Sequence, residues 1–301
     1  MALSSSVVDQ HILDWSDKLG KSTYSFRSKW PSLIFRHDPI QNIVEILNSG
    51  CLLSRSASKS VRPLDVAQQE IVNVTDRAHK QVRTYFRPRT PTQYHIEGIR
   101  KQDEYYRGDT HAPTLAMLVF DAKTLLTTTG VAFSNLNMQR AEVEIGDDDS
   151  FFLGKMNFEN IYHYGPHSGD ENITAMRCAE LLMPSPMRIE DSLRHIYFRS
   201  EAEREFAMGL LKESTLLRWR SKMRVSDDMK IFDKRYAYVE RVYLTNDGVV
   251  VSIAPRHDAK DLSIQVFSAD DAGNIITNFS RQNISAMPKS GARAWRFPGD
   301  F

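Results

Sequence analysis

Two stretches decide the reading of this chain: Tyr85-Phe86-Arg87-Pro88-Arg89-Thr90-Pro91-Thr92-Gln93-Tyr94 and, about ninety residues on, Arg177-Cys178-Ala179-Glu180-Leu181-Leu182-Met183-Pro184. The first crowds rings, guanidinium groups and prolines into one turn. The second sets a lone carboxylate in an otherwise apolar run. Read as an extended segment over Ala175 to Met183, it puts Glu180 on one face with Cys178 and Leu182. A carboxylate there must be paired, solvated or functional, because burying it alone is costly. A salt bridge with Arg177 or another arginine is as good an account as a functional acid. In the first stretch, extended backbone places Tyr85, Arg87 and Arg89 on one side. Arginine forks fit phosphate oxygens, and Tyr85 and Phe86 offer ring faces to a nicotinamide or a nucleobase. An aromatic core strand with exposed arginines fits the same residues.

Working outward, Leu33 to Phe35 reads as a strand followed by an amphipathic helix from Pro39 to Asn48, with Ile40, Ile43, Val44 and Leu47 on one face and Gly50 as its stop. Between them lies Arg36-His37-Asp38, with Asn42 on the helix; the amino end of that helix could receive a phosphate, and an ordinary N-cap at Asp38 explains the same residues. Further strands are read at Gln81 to Phe86, Leu115 to Phe120 and Arg194 to Arg199, and a helix at Ser4 to Lys18. Ser200 with Glu203 fits a capping box, with Phe206, Leu210 and Leu217 on the inner face of the helix that follows. Helices and strands mix without strict βαβ alternation, which predicts an α+β layer arrangement. From about Lys230 the chain turns β-rich, with hairpin signals at Asn246-Asp247-Gly248 and Asp271-Ala272-Gly273-Asn274. The expected division is an N-terminal helical segment (1–30), a main domain (31–225) and a β-rich C-terminal domain (230–301).

A chain of 301 residues, 41% hydrophobic and 26% charged, has room for that core and extension and no apolar run long enough to span a bilayer. No secretion signal is seen at the N-terminus, and Cys51 and Cys178 read as buried thiols, so the expected location is the cytoplasm. The net charge of +1 hides a basic block: Arg77 to Arg107 holds eight basic residues against three acidic ones, interleaved with five tyrosines and phenylalanines. That mixture suits phosphates and stacked bases, although a basic block is more often a solvated surface. No glycine loop for phosphates, zinc spacing or Ser/His/Asp elbow is found, and no metal is expected.

In order, Phe35-Arg36-His37-Asp38 with Asn42, Ile46-Leu47 and Gly50-Cys51-Leu52, then Val82 to Tyr94, then Arg177 to Pro184 with Ile196 to Ser200, resemble the DarT family of nucleic-acid ADP-ribosyltransferases over roughly Ser32 to Leu217. The resemblance implies the ADP-ribosyltransferase fold, a split β-sheet flanked by helices, here with a small β-rich C-terminal extension. It implies NAD as cosubstrate and a base of single-stranded DNA or RNA as acceptor. Glu180 matches the family glutamate. Arg36, His37, Asp38, Asn42, Tyr85, Phe86 and Arg89 would lie along the donor, and Arg87, Tyr94 and Arg177 along the nucleic acid. The family also has a donor-holding catalytic arginine between the first helix and the aromatic segment. Arg55, Arg62, Arg77 and Arg83 compete for it, and Arg83 is assigned. The aromatic segment is more basic than the pattern of DNA-modifying members, which leaves RNA open. By family, the protein is a toxin of a toxin–antitoxin or phage-defence module with a neutralising antitoxin. The competing readings are a catalytically degenerate nucleic-acid-binding module and a protein-modifying ADP-ribosyltransferase.

Overall fold

Strand Leu33–Pro39 (β1) leads straight into helix Ile40–Ser49, because Pro39 cannot extend the ladder and the residues after it are helically spaced. The helix stops at Gly50, whose φ of 69° is the left-handed conformation glycine adopts without steric cost. This comes from a computed structural model, which describes residues 2–58, 63–64, 79–106, 111–168, 171–256, 261–270, 272–285 and 294–298.

Around β1 the described residues form one eight-stranded sheet. Its other strands are Val82–Tyr85 (β2), Leu115–Asp121 (β3), Ala132–Ser134 (β4), Ile145–Gly146 (β5), Glu180–Met183 (β6), Leu193–Phe198 (β7) and Met223–Val225 (β8). They run in the order β8-β7-β3-β1-β2-β6-β4-β5, antiparallel throughout except for the β8–β7 pair at one edge. The apolar run Leu115–Phe120 is buried along its length, as befits a strand inside the sheet. Its partner β1 pairs with it at every residue from Leu33↔Asp121 to Pro39↔Leu115. Between β1 and β2, by contrast, a single pair is made, Phe35↔Tyr85. The sheet is therefore two four-stranded halves that touch at one point and splay beyond it. Arg36 bridges the gap: its Nη1 donates to the Arg83 carbonyl (2.8 Å), a bond a wider ladder would have supplied from backbone.

Two local expectations change. The segment around Glu180 is not a strand from Ala175: a helix runs Glu171–Met176, the amides of Arg177, Cys178 and Ala179 continue its turn by donating to Ile173, Ala175 and Met176 carbonyls, and strand geometry begins only at Glu180. Cys178 thus lies outside the strand. After Ser200, which caps its helix by accepting from the Glu203 amide (3.2 Å), Phe206, Leu210 and Leu217 are exposed rather than inward. The helix ends at Leu210 and a second, Glu213–Trp219, begins, so Ala207, Leu211, Thr215 and Trp219, spaced by four, take the inner face. Glu203 is buried too, bound to the Arg199 guanidinium rather than reaching back to Ser200.

The C-terminal region forms a three-stranded sheet of Val239–Thr245 (β9), Gly248–Ile253 (β10) and Ala294–Pro298 (β13), and a hairpin of Asp261–Ala269 (β11) and Ile275–Ser285 (β12). Asn246-Asp247-Gly248 makes the expected tight connection; of the second turn signal, Asp271 lies outside the described residues. These strands close a small core of Ala237, Val249, Val251, Ile253 and Phe297. The segment before them belongs to the main core: Met229, Ile231 and Phe232 are buried in it, the Trp30 indole donates to the Met229 carbonyl and Gln93 to that of Ile231. Among the described residues no helix is long and apolar enough to cross a membrane.

Candidate active site

The site lies where the two half-sheets part. On β2 and β6 the register sets Tyr85 opposite Glu180 and Arg83 opposite Leu182, so Arg83, Tyr85 and Glu180 share a face. Glu180 is 1% exposed, yet its carboxylate does not end in apolar packing. Arg83 grips both its oxygens through Nε and Nη2, and Arg83 itself is 23% exposed. Burial works against the charge on Arg83 and the Glu180 carboxylate more than offsets it, so the guanidinium is held more firmly charged than usual. The Glu180 backbone amide donates to Ser134 Oγ on the neighbouring β4 (3.1 Å), which fixes the strand start from the other side.

Tyr85 stacks on His37 of β1, ring centroids 5.4 Å apart and planes within 10°. Burial, with the Glu180 charge beside it, pushes the Tyr85 hydroxyl up to about 12, so it is a hydrogen-bonding phenol at neutral pH; Thr92 donates to it (3.4 Å). Burial and the adjacent Arg36 charge push the His37 imidazole down to about 3 and keep it neutral. On the other face of β1, Arg36 donates through Nε (2.9 Å) and Nη2 (2.6 Å) to Asp38 Oδ2, and Asn42 donates to Asp38 Oδ1 (2.8 Å). Asn42 also pairs with the backbone of Leu64 in both directions. Asp38 is therefore a bracket for Arg36 and Asn42 rather than a helix cap; the cap position is Pro39, with no side-chain bond at the helix start. His37, Arg83, Tyr85 and Glu180 thus share one face, and Arg36, Asp38 and Asn42 form a second cluster tied to it through the Arg83 carbonyl.

The residues after β2 divide. Phe86 turns away from Tyr85 into the core, edge-on to Phe158 at 5.5 Å, because successive residues of a strand face opposite sides. Arg87, expected on nucleic acid, is 2% exposed, lies over the Trp30 ring at 5.1 Å and donates to the carbonyls of Pro88, Ile161 and His163. Burial, then the nearby Arg177 charge, pushes it down to about 9. It is a structural strut. Arg89 reaches outward from a left-handed backbone (φ 54°), its Nε on Asp233 Oδ1 (2.8 Å) and its Nη1 on the Tyr164 hydroxyl (2.5 Å). Arg177 donates to Gly165 O (2.7 Å) and His163 Nδ1 (2.5 Å), and its buried Nε has no partner. Tyr94 is half-buried with its hydroxyl taken by Arg235. Of the competing arginines, Arg55 lies in the short helix Arg55–Ser58, while Arg62 and Arg77 lie outside the described residues, as does Arg107 of the basic block.

Ser134, Thr92, Tyr164 and Asp233 complete the surroundings, and none was singled out by sequence reasoning. A serine in an apolar strand and an aspartate in a polar turn carry no periodicity or spacing that marks them. Among the described residues no group of three or more His, Cys, Asp or Glu is placed to hold a metal. Chemically the arrangement offers one carboxylate fixed by a guanidinium, a phenol beside it and a neutral imidazole behind. Such a set can accept a proton and stabilise positive charge developing on a sugar carbon.

The fold resembles that of Thermus sp. 2.9 DarT, solved in complex with ADP-ribosylated ssDNA, with a TM-score of 0.53 at 18% identity over 66% of this chain and 96% of that one. It matches the same protein in complex with NAD+ at a TM-score of 0.50 and 17% identity, over 66% and 97% of the two chains. Thermosipho africanus DarTG, in complex with ADP-ribose, gives a TM-score of 0.51 at 16% identity over 73% of this chain and 55% of that one. At these identities the likeness is one of fold. No curated protein matches the chain in sequence. The model of the family described as DarT, ssDNA thymidine ADP-ribosyltransferase, matches residues 35–231, about two-thirds of the chain, from the strand of Arg36 through Glu180 to the segment that plugs the main core. The chain belongs to the DarT family of ssDNA thymidine ADP-ribosyltransferases.

Proposed function

We propose that this protein transfers ADP-ribose from NAD to a thymidine base of single-stranded DNA at the parting of the two half-sheets. The Glu180–Arg83 pair carries the reading: an acid held by a guanidinium, opposite Tyr85, on a strand whose sequence resembles the family's glutamate segment. In the reaction the bond from the ribose C1′ to the nicotinamide nitrogen breaks and the neutral base departs. A new bond forms from C1′ to the acceptor base, whose single ring N–H loses its proton. Glu180 is the group placed to take that proton and to face the positive charge growing on the ribose. Arg83 orients it and supplies a cation toward the donor phosphates. Tyr85 and the neutral His37 form the aromatic wall of the nicotinamide end. Arg36, held by Asp38, and Asn42 line the donor, with Arg89 at its outer rim. Arg177 and Tyr94 meet the acceptor strand.

The division into helical segment (1–30), transferase domain (31–225, with Met229, Ile231 and Phe232 packed into its core) and the β-rich C-terminal region beyond, the cytoplasmic location, and growth arrest or phage defence through a cognate neutralising protein belong to the same proposal. The existence of DarTG among the structural relatives supports the last. Incubation with labelled NAD and matched DNA and RNA oligonucleotides tests it. Label on thymidine of single-stranded DNA, absent with Glu180→Gln, is expected. Label confined to RNA or to protein overturns it.

A further inference from the structure

Where the β-rich C-terminal region meets the transferase core, rings and guanidinium groups form one strip, a cluster with Arg235 exposed at its surface and Arg100 and Arg256 buried beneath it. Arg235 is exposed, and no carboxylate among the described residues lies within ion-pair distance of it. It donates instead to the Tyr94 hydroxyl, with its guanidinium carbon 5.4 Å from the Tyr94 ring centre and 5.9 Å from that of Tyr236. Tyr236 also carries Arg100 at 3.8 Å and Arg256 at 5.4 Å. Arg100 is spent on the carbonyls of Tyr94 and Glu97. Beside this cluster His95 and Tyr106 stack at 3.8 Å with planes within 13°.

The strip is continuous with the site. Thr92 touches the Tyr85 hydroxyl, and His95 lies one turn further along the same face of helix Pro91–Ile96. Its outer half, Arg235 and Tyr236, lies beyond residue 231, where the family match ends. Three guanidinium groups surround one ring; buried Arg256 is paired with Glu104, while Arg235 at the surface has no ion pair among the described residues. A polyanion can reach Arg235, with the two buried cations adding to the positive field behind it. Alternating rings and arginines suit a single strand, whose bases can stack on the rings while its phosphates meet the arginines.

We propose that this strip binds the acceptor strand beyond the nucleotide that reacts, Arg235 on a phosphate and the Tyr94 and Tyr106 rings against neighbouring bases. The C-terminal region then acts as a specificity and affinity extension for longer single strands. This rests on the reading that the acceptor is single-stranded DNA.

The test compares acceptors of about four and about sixteen nucleotides, the span of known single-strand footprints, with the full-length protein and its Arg235→Glu, Arg235→Ala and Arg241→Glu forms. Arg241, equally basic and exposed on β9, is the control for bulk charge. Binding is followed by fluorescence anisotropy without NAD, and labelling separately. The expected result is that Arg235→Glu raises Kd for the long strand about tenfold and flattens its log–log salt dependence by about 0.7. Turnover of the short strand and the melting temperature stay unchanged, and Arg241→Glu has no effect. Equal long-strand affinity in Arg235→Glu and the parent, an equal loss on both lengths, or an equal loss in Arg241→Glu overturns the proposal. A parent protein that binds the long strand in this manner but labels no DNA refutes the transferase reading and leaves the strip standing.

Discussion

Glu180 and Arg83 are unequally buried, at 1% and 23% exposed, and that asymmetry fixes what their removal does. Glu180→Gln leaves Arg83 able to turn toward water, so stability should fall by only about 1 kcal/mol, while the labelling rate falls by at least about a hundredfold. Arg83→Gln strands a carboxylate with nowhere to go and should cost about 3 kcal/mol. Urea unfolding of the two variants beside labelling rates checks both statements, and a larger stability loss for Glu180→Gln than for Arg83→Gln would contradict them. At this scale the sequence was informative wherever one residue broke a pattern: an acid among apolar neighbours marked Glu180. It did not show that Phe86 and Arg87 are buried. A strand's alternation says that neighbours part, but not which of them meets the cleft, and an arginine among tyrosines looks the same whether it awaits a phosphate or props up three carbonyls.

Among elements, the parting of β1 and β2 depends on Arg36. Arg36→Ala removes the bridge to the Arg83 carbonyl and the guanidinium that grips the Asp38 carboxylate, which is 4% exposed. A loss of about 3 kcal/mol is expected in urea unfolding, with Arg36→Lys recovering part of it. Faster amide exchange in Val82–Tyr85 should accompany the loss. The strand β1 and its helix were legible from spacing and the glycine stop. The onset of β6 was not, because a helical turn running into a strand leaves no proline or glycine at the join. Nor was the break at Leu211, which turned Phe206 and Leu210 outward: an uninterrupted apolar period continues on paper through a bend made by tertiary packing.

For the whole molecule, acid sensitivity follows from two imidazoles that burial pushes down to about 3, His11 in its aromatic nest and His37. The unfolded chain binds their protons below about pH 6.5 and the folded one does not, so stability should fall as pH drops, by about 1.4 kcal/mol per unit for each. Asp233, raised to about 6 by burial and the nearby Glu97, works the other way and offsets one of them between about pH 4 and 6. Unfolding at pH 7, 6 and 5 should show the net decline, with a shallower slope in His11→Phe. The main core also extends past its last sheet strand. A chain stopped at residue 226 loses Met229, Ile231 and Phe232, each worth about 2 kcal/mol of burial, and should melt far below the intact protein or fail to fold. The α+β class and the β-rich tail could be read from composition. That the tail is tied in through Phe232 could not, since a polar stretch of aspartates and lysines surrounds it.

Arg89 holds its guanidinium at the end of a backbone twisted into a region that a side chain resists by about 1–2 kcal/mol. Replacing it with glycine therefore frees the main chain at the same moment that it deletes the arm, and the two effects subtract. Replacing it with alanine keeps the torsion and shows the arm's worth alone. A glycine exchange that looks harmless at this position would be the sum of a gain and a loss, not proof of an idle residue.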